Sequence, residues 1–410
     1  MPPTVVLLGT LDTKGVDYAF MRDRIAEAGC DVVMINAGVL GDPDYPVEFT
    51  RQDVAAAAGA DIGELSTTAG RGSAVTTMAR GAAEIVKALY REGRLDGILG
   101  AGGSGGSSII SHALQHLPIG VPKMLVSTMG ASDTRPYVGT SDIALMYSVV
   151  DVAGINAISR RILGNASAAI AAMAAAYRSA ARDEPERPLV GATMYGTTTP
   201  CVEQARTWLE EAGYDVLVFH ATGTGGRSME ALMESGHITA SLDVTTTELT
   251  DEVAGGSLSA GPDRLETAGR LGLPQVVSLG GTDQITFTPP DAMPRSFRGR
   301  TLYEHNPAVT LVRSNAEECE RLGRLIAEKL NRATGPATLF VPLRGASMYA
   351  VAGAIFHDPD ADRALLAGVK AVLDPSVEVV EMDTDINDPA FATAMARRLD
   401  EHYREWLGGT

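Results

Sequence analysis

Thr4-Val-Val-Leu-Leu8 runs straight into Gly9-Thr-Leu-Asp-Thr-Lys-Gly15. A short apolar run rich in β-branched residues, ending on a glycine and a cluster of small polar residues, reads as a buried strand and a tight turn. From about Val16 to Ala28 the spacing becomes helical, with Tyr18, Met21, Ile25 and Ala28 three or four residues apart, and Gly29 offers a left-handed stop. Val32 to Ile35 is the expected second strand, and Gly97 to Leu99 and Met124 to Ser127 repeat the short apolar pattern. Strands alternating with helical segments predict parallel βαβ units.

An alanine-rich helix is expected from Asn165, as its N-cap, to Ala181, followed by the charged stretch Arg182-Asp-Glu-Pro-Glu-Arg-Pro188. The pattern then restarts. Leu189 to Tyr195 reads as a strand, Gly196 to Pro200 as a turn and Cys201 to Ala212 as a helix. Glu27-Ala-Gly-Cys-Asp-Val-Val33 and Glu211-Ala-Gly-Tyr-Asp-Val-Leu217 occupy the same place, the exit of a helix into the next strand. This self-similarity predicts an α/β protein of two Rossmann-like lobes with mainly parallel sheets, residues 1–182 and 189–410. Convergence of helix–glycine–strand junctions is the competing account. Later strands are expected at Gln275 to Leu279, Ala337 to Pro342 and Val377 to Glu381, and a terminal helix from Pro389 to Leu407.

With 410 residues, 45% hydrophobic and 21% charged, the chain has enough apolar material for two cores without metals or disulfides. Its 34 basic and 51 acidic residues leave a net charge of −17, which disfavours nucleic acid and anionic lipid as partners. Three well-separated cysteines, Cys30, Cys201 and Cys319, form neither a disulfide framework nor a zinc pattern, so a reducing cytoplasm is expected. Neither a signal peptide nor a membrane span is expected.

Three loops carry the chemistry. In parallel sheets, ligands bind beyond the carboxyl ends of the strands, where glycine lets phosphate approach backbone N–H groups at a helix start. Gly9 to Gly15 gathers Thr10, Asp12, Thr13 and Lys14 at one turn, a set suited to phosphate oxygens and a phosphate-bound metal; the plain alternative is a helix cap with a solvated lysine. Gly100-Ala-Gly-Gly-Ser-Gly-Gly-Ser-Ser108 is costly in chain entropy, and a bound anion explains it. It contains GxGxxG, though not on the first strand, and G-x-S-x-G, which would make Ser104 a nucleophile if a His and an Asp joined it. Ser127-Thr-Met-Gly-Ala-Ser-Asp133 is placed to close the same pocket, Arg71 between glycines is a candidate phosphate ligand, and Asn36 sits where a ribose would lie. In the second half, Thr222 to Arg227, Gly280 to Asp283 and Arg344 to Ser347 offer a further anion or substrate site, with Asp243, Glu248 or His220 as acid–base candidates.

Taken together, Gly9 to Gly15, Arg71, Gly102-Gly-Ser-Gly-Gly106 and Ser127-Thr-Met-Gly130 resemble the Tm-one-like ATP-binding domain family, the amino-terminal domain of plant tobamovirus-resistance proteins and its bacterial relatives. The resemblance runs over nearly the whole chain. It implies two Rossmann-like subdomains, ATP and an accompanying Mg²⁺ held by the first, and a homodimer. By position it implies nucleotide contacts from Thr10, Asp12, Thr13, Lys14, Gly102, Gly103, Ser104, Gly105, Gly106 and Ser107, with Arg71, Ser127 and Thr128 secondary and Asp12 on the metal. At Asn36 the family more often carries Asp. Plant relatives add a TIM-barrel domain, so a separately encoded barrel partner is expected. The competing functions are a serine hydrolase of esters or lactones using Ser104, and a non-catalytic module stabilised by ATP.

Overall fold

In a computed structural model, which describes residues 2–67, 70–180 and 187–409, the chain divides into two units, Met1–Asp183 and Glu184–Thr410. The first is built on five parallel strands: β1 (Thr4–Gly9), β2 (Asp31–Asn36), β3 (Gly97–Gly102), β4 (Lys123–Ser127) and β5 (Ala144–Tyr147). Their order is β2-β1-β3-β4-β5, so the chain reverses its direction of winding between β1 and β3. Alternate residues of β1 serve two cores. Val6 and Leu8 pack with Met78, Val86 and Ile110 on one face, and Val5 and Leu7 with Tyr18, Met21, Ile25 and Ile170 on the other. Burial on both faces explains why β1 reads as a continuous apolar run instead of alternating.

The second unit has a six-stranded parallel sheet of β6 (Leu189–Met194), β7 (Asp215–His220), β8 (Ile238–Thr245), β9 (Gln275–Gly280), β13 (Ala337–Pro342) and β14 (Glu378–Met382), in the order β14-β13-β9-β8-β6-β7. It therefore repeats the winding of the first sheet, with its own reversal between β6 and β8. An antiparallel arm of β10 (Gln284–Phe287), β11 (Leu302–Asn306) and β12 (Val309–Arg313) is inserted after β9. Among the described residues no helix is long and apolar enough to cross a membrane.

The matched heptapeptides do sit at equivalent places. Gly29 (φ 86°) and Gly213 (φ 101°) each end a helix in the left-handed region, and β2 and β7 begin two residues later at Asp31 and Asp215. Two expectations are corrected. The helix placed after Asn165 spans Ala157–Ser179 and is capped by Asn156, whose Oδ1 accepts from the N–H groups of Ile158 and Ser159. The expected turn Gly9 to Gly15 is mostly helix, because Leu11–Glu27 starts at once after β1 and is kinked at Lys14 (φ −122°, ψ 15°). The strand β8 escaped the sequence reading because Ser241, Asp243 and Thr245 break its apolar pattern. The linker residues 181–186 lie outside the described residues.

Candidate functional site

The crevice at the reversal point of the first sheet is held open by one side chain. β1 and β3 pair only from Val5–Gly97 to Leu7–Leu99, although both strands run on. Beyond that point the Tyr18 hydroxyl replaces the ladder, donating to the Leu8 carbonyl (2.6 Å) and accepting from the Ala101 N–H (2.8 Å). Gly9 is required here, since a Cβ would lie 1.9 Å from the Tyr18 oxygen. In parallel sheets this reversal is where ligands bind.

Two helices start at the mouth of the crevice. Leu11–Glu27 follows β1 and Ser104–Gln115 follows β3, and a Cβ on Gly106 would stand 3.7 Å from Thr10 Oγ1. The first bond inside the second helix is Ser107 N–H to Gly103 O (2.8 Å), and Gly103 supplies no side-chain cap. Among the described residues no acceptor meets the N–H groups of Ser104, Gly105 and Gly106, and the Asp12 N–H is likewise free. Helix-start amides of this kind carry partial positive charge and favour anions.

These helix starts open into a cavity of about 680 Å³, lined by Thr10, Asp12, Thr13, Lys14 and Gly103 to Gly106 on its polar side. The rest of its lining is largely apolar, with Val39, Leu40, Leu65, Ala74, Val75 and Met78. The size lies within the usual range for a small-molecule site. Asp12 Oδ2 accepts from the Val39 N–H (3.0 Å) and the Leu40 N–H (2.9 Å), while Oδ1 is buried without a partner. Lys14 Nζ donates to the Val152 carbonyl, and Asp17 Oδ2 accepts from the Gly154 N–H (3.0 Å), so both fasten the loop that carries Asp151. Burial raises the Asp17 carboxyl above its usual range, against the opposing pull of the Gly154 N–H and Lys14. The same loop holds Val149 at φ 62°, a strained value for a β-branched residue.

Several predicted site residues do not face this cavity. Asn36 is fully buried: its Oδ1 accepts from the N–H groups of Leu11 (3.1 Å) and Gly38 (3.0 Å), and its amide donates to the Gly41 carbonyl (3.2 Å). It caps the first helix from a neighbouring strand and is closed off from a ribose. Ser107 and Ser127 are also fully buried, with their hydroxyls 2.6 Å apart. Ser107 has spent its N–H on Gly103, so neither serine reaches the cavity. Gly102 ends β3, where a Cβ would come within 3.2 Å of Gly106, and its carbonyl accepts from the Thr128 N–H (3.2 Å). Gly102 and Thr128 thus shape the turn behind the cradle. Arg71 opens the helix Arg71–Arg91, but its side chain lies outside the described residues. Sequence reasoning missed Asp151 and the apolar wall; the helical spacing of Ala74, Val75 and Met78 was the one available signal.

Ser104 lacks the partners of a nucleophile. Among the described residues no histidine lines the cavity, and Gly103 and Ser104 start a helix with no left-handed residue at the turn. In the second unit the Thr222 to Arg227 loop is corrected as an anion site. Glu248 Oε1 already accepts from the N–H groups of Gly223 (2.7 Å) and Gly226 (3.1 Å) at the start of the helix Thr224–Glu234. Its other oxygen accepts from Arg264 (2.7 Å), which also forks onto Asp243 (2.6 Å to each oxygen). The proposed acids Asp243 and Glu248 are therefore members of a buried ion network.

Residues 3–179 match the N-terminal domain, and residues 187–403 the C-terminal domain, of the uncharacterised protein family UPF0261. The chain belongs to this family. It is 46% identical over 400 residues to a UPF0261 protein of Clostridium tetani, covering 97% of this chain and 98% of that one. It is 34% identical over 413 residues to the ToMV resistance protein Tm-1(GCR237) of Solanum lycopersicum, covering 96% of this chain and 55% of the tomato protein. Among solved structures, the UDP-N-acetylglucosamine 2-epimerase of Rickettsia bellii aligns over 100% of this chain and 99% of that chain, at 10% identity and a TM-score of 0.22. That last likeness is too slight to bear on function.

Proposed function

We propose that this UPF0261 protein binds ATP in its first unit, with the phosphates on the free amides of Ser104 to Gly106 and Asp12 and the base against the apolar wall of Met78, Val75 and Leu65. The observation that carries the reading is the pairing of free helix-start amides, at Asp12 and at Ser104 to Gly106, with a cavity at the reversal of the sheet. The resemblance to the Tm-one-like ATP-binding domain supports the choice of ligand, and the 34% identity to the tomato Tm-1 protein accords with it.

The residues present fit an accompanying Mg²⁺. Among the described residues no three His, Cys, Asp or Glu side chains gather as a protein-only metal site. Mg²⁺ is usually held by one or two carboxylates together with substrate phosphates. The orphaned, buried Asp12 Oδ1 is such a carboxylate oxygen, and Asp151 lines the same cavity. When bound, the ion would neutralise phosphate charge. Asp12 itself would remain anchored by Val39 and Leu40, and Lys14 would hold the Asp151 loop against the first helix.

Titration calorimetry with ATP and Mg²⁺ tests the reading. One saturable site per chain is expected, weakened about tenfold or more by Asp12→Asn and by Lys14→Ala and little changed by Ser104→Ala, whose contribution is its amide. Unchanged affinity in the first two variants rejects the assignment. The same reading carries a cytoplasmic homodimer and a separately encoded TIM-barrel partner. Light scattering at monomer mass, and a pull-down that recovers no barrel protein, would overturn those two parts.

A further inference from the structure

The second unit contains a cavity of its own, about 500 Å³, beyond the carboxyl ends of β9 and β13. Leu279, Val341, Leu365 and Leu366 form its apolar body, and Val351 and Ala352 border it from the long connection between β13 and the helix Pro359–Val372. That connection has no regular helix or strand, and it displays Leu343, Met348 and Ile355 about half exposed. Long irregular connections beside a cavity are where binding loops are found.

The polar side chains lining this cavity are Arg344, His357, Asp362, Arg363 and Asp385. Arg344 stands at its edge with its fork engaged by Asp383, Nε to Oδ1 at 2.7 Å and Nη2 to Oδ2 at 2.5 Å. Arg363 is likewise paired, with Asp360. Both pairs are exposed, the side chains of Arg344 and Asp383 being 65% and 72% accessible, so they contribute little and open readily. Of the two acids in the lining, Asp362 is offset by the buried Arg313 at 2.6 Å, and Asp385 accepts from the Asn387 N–H (2.8 Å). His357 donates from Nδ1 to the Ala350 carbonyl (3.2 Å) and adds no negative charge. The helix start at Pro359 is closed to a phosphate, because the Asp358 carboxylate already takes the N–H groups of Asp360 (3.2 Å) and Ala361 (3.1 Å).

We infer that this cavity is a second ligand site that takes a small carboxylic acid with an apolar body. The acid's carboxylate takes the place of Asp383 on the Arg344 fork, and its hydrocarbon part lies between Leu279, Val341 and Leu366. The fork geometry that Asp383 adopts is the geometry a ligand carboxylate requires. The inference is independent of the nucleotide reading, since every group it uses belongs to the second unit.

The test is calorimetric titration of the intact chain with hexanoate, hexyl phosphate and hexylamine. Saturable hexanoate binding is expected, tighter than either of the other two by about tenfold, and weakened by about that factor in Arg344→Gln. Leu366→Trp should abolish it by filling the cavity, and Ala352→Trp, at an exposed loop position, supplies a second block should the first variant fold poorly. Equal affinity for the three compounds, hexyl phosphate as the tightest, no saturation, or binding that survives both Arg344→Gln and Ala352→Trp would overturn the proposal. ATP affinity, measured on the same variants, is expected to stay unchanged and separates failure here from failure of the first site.

Discussion

Glu248 Oε1 accepts a 2.7 Å hydrogen bond from the Gly223 N–H, so the second sheet's helix start is stoppered by the protein's own carboxylate. The helix-start amides at Ser104 to Gly106, which follow β3 in the first unit, meet no such group among the described residues. The units share a winding order, and the free amides at Ser104 to Gly106 open into a cavity whereas those of Gly223 and Gly226 are taken, which is why the nucleotide is assigned to the first.

Glu248→Ala should destabilise the protein by about 3–5 kcal/mol, because it exposes two amides and removes a partner of the buried Arg264. Urea unfolding gives the value. Sulfate should raise the melting temperature of this variant more than that of the parent, by occupying the vacated helix start. An identical response to sulfate in both proteins would show that Glu248 is not standing where an anion can bind.

Tyr18→Phe removes the hydroxyl that satisfies the Leu8 carbonyl and the Ala101 N–H, in a setting closed to water. A cost of about 1–3 kcal/mol is expected from the orphaned groups. Nucleotide affinity should fall as well, since β1 and β3 are free to close the crevice. A variant as stable as the parent would mean that the strands diverge for another reason.

Gly106→Ala separates folding from binding. The new methyl finds ordinary van der Waals space and stands near Thr10, so the helix should gain about 0.5–1 kcal/mol from the better residue. ATP affinity should nonetheless drop by about tenfold, because the methyl crowds the phosphate position. Calorimetry and thermal melting of one sample read both effects.

Asp251 provides a pH signature. Burial raises its carboxyl to about 7, outweighing the N–H groups of Thr286 and Leu258 that it accepts. Between the ordinary carboxylate value near 4 and about pH 7, the folded state therefore binds more protons at this site than the unfolded chain. Its contribution to stability is then largest at the acid end of that window and is lost as the pH rises through it. The parent should lose stability relative to Asp251→Asn across this range, to the extent of about 3 kcal/mol. Parallel stability profiles for the two proteins would contradict the raised value.

The sequence conveyed the architecture through β1 and the paired heptapeptides, because burial on both sheet faces and a left-handed glycine at a helix exit leave direct marks on residue choice. β8 left no such mark, since its polar residues are buried against hydrogen-bonding partners: Asp243 against Arg264 and Thr193, and Thr245 against Thr198. The candidate site was legible in Thr10, Asp12, Thr13, Lys14 and Gly103 to Gly106, all of which line the cavity. Asn36, Ser107 and Ser127 were misread because a hydroxyl or amide at a strand end serves equally well to cap a helix or bind a ligand, and only tertiary contacts decide between them. Glu248 is distant in sequence from Gly223, so its occupation of that helix start was beyond any local pattern.

Hydrogen–deuterium exchange with and without ATP and Mg²⁺ addresses the central claim at the amides themselves. The account predicts that exchange slows in the segment 103–106 and at Asp12 when nucleotide is present, while the segment 222–227, already held by Glu248, stays as it was. Unaltered exchange at 103–106 under saturating ATP would contradict it.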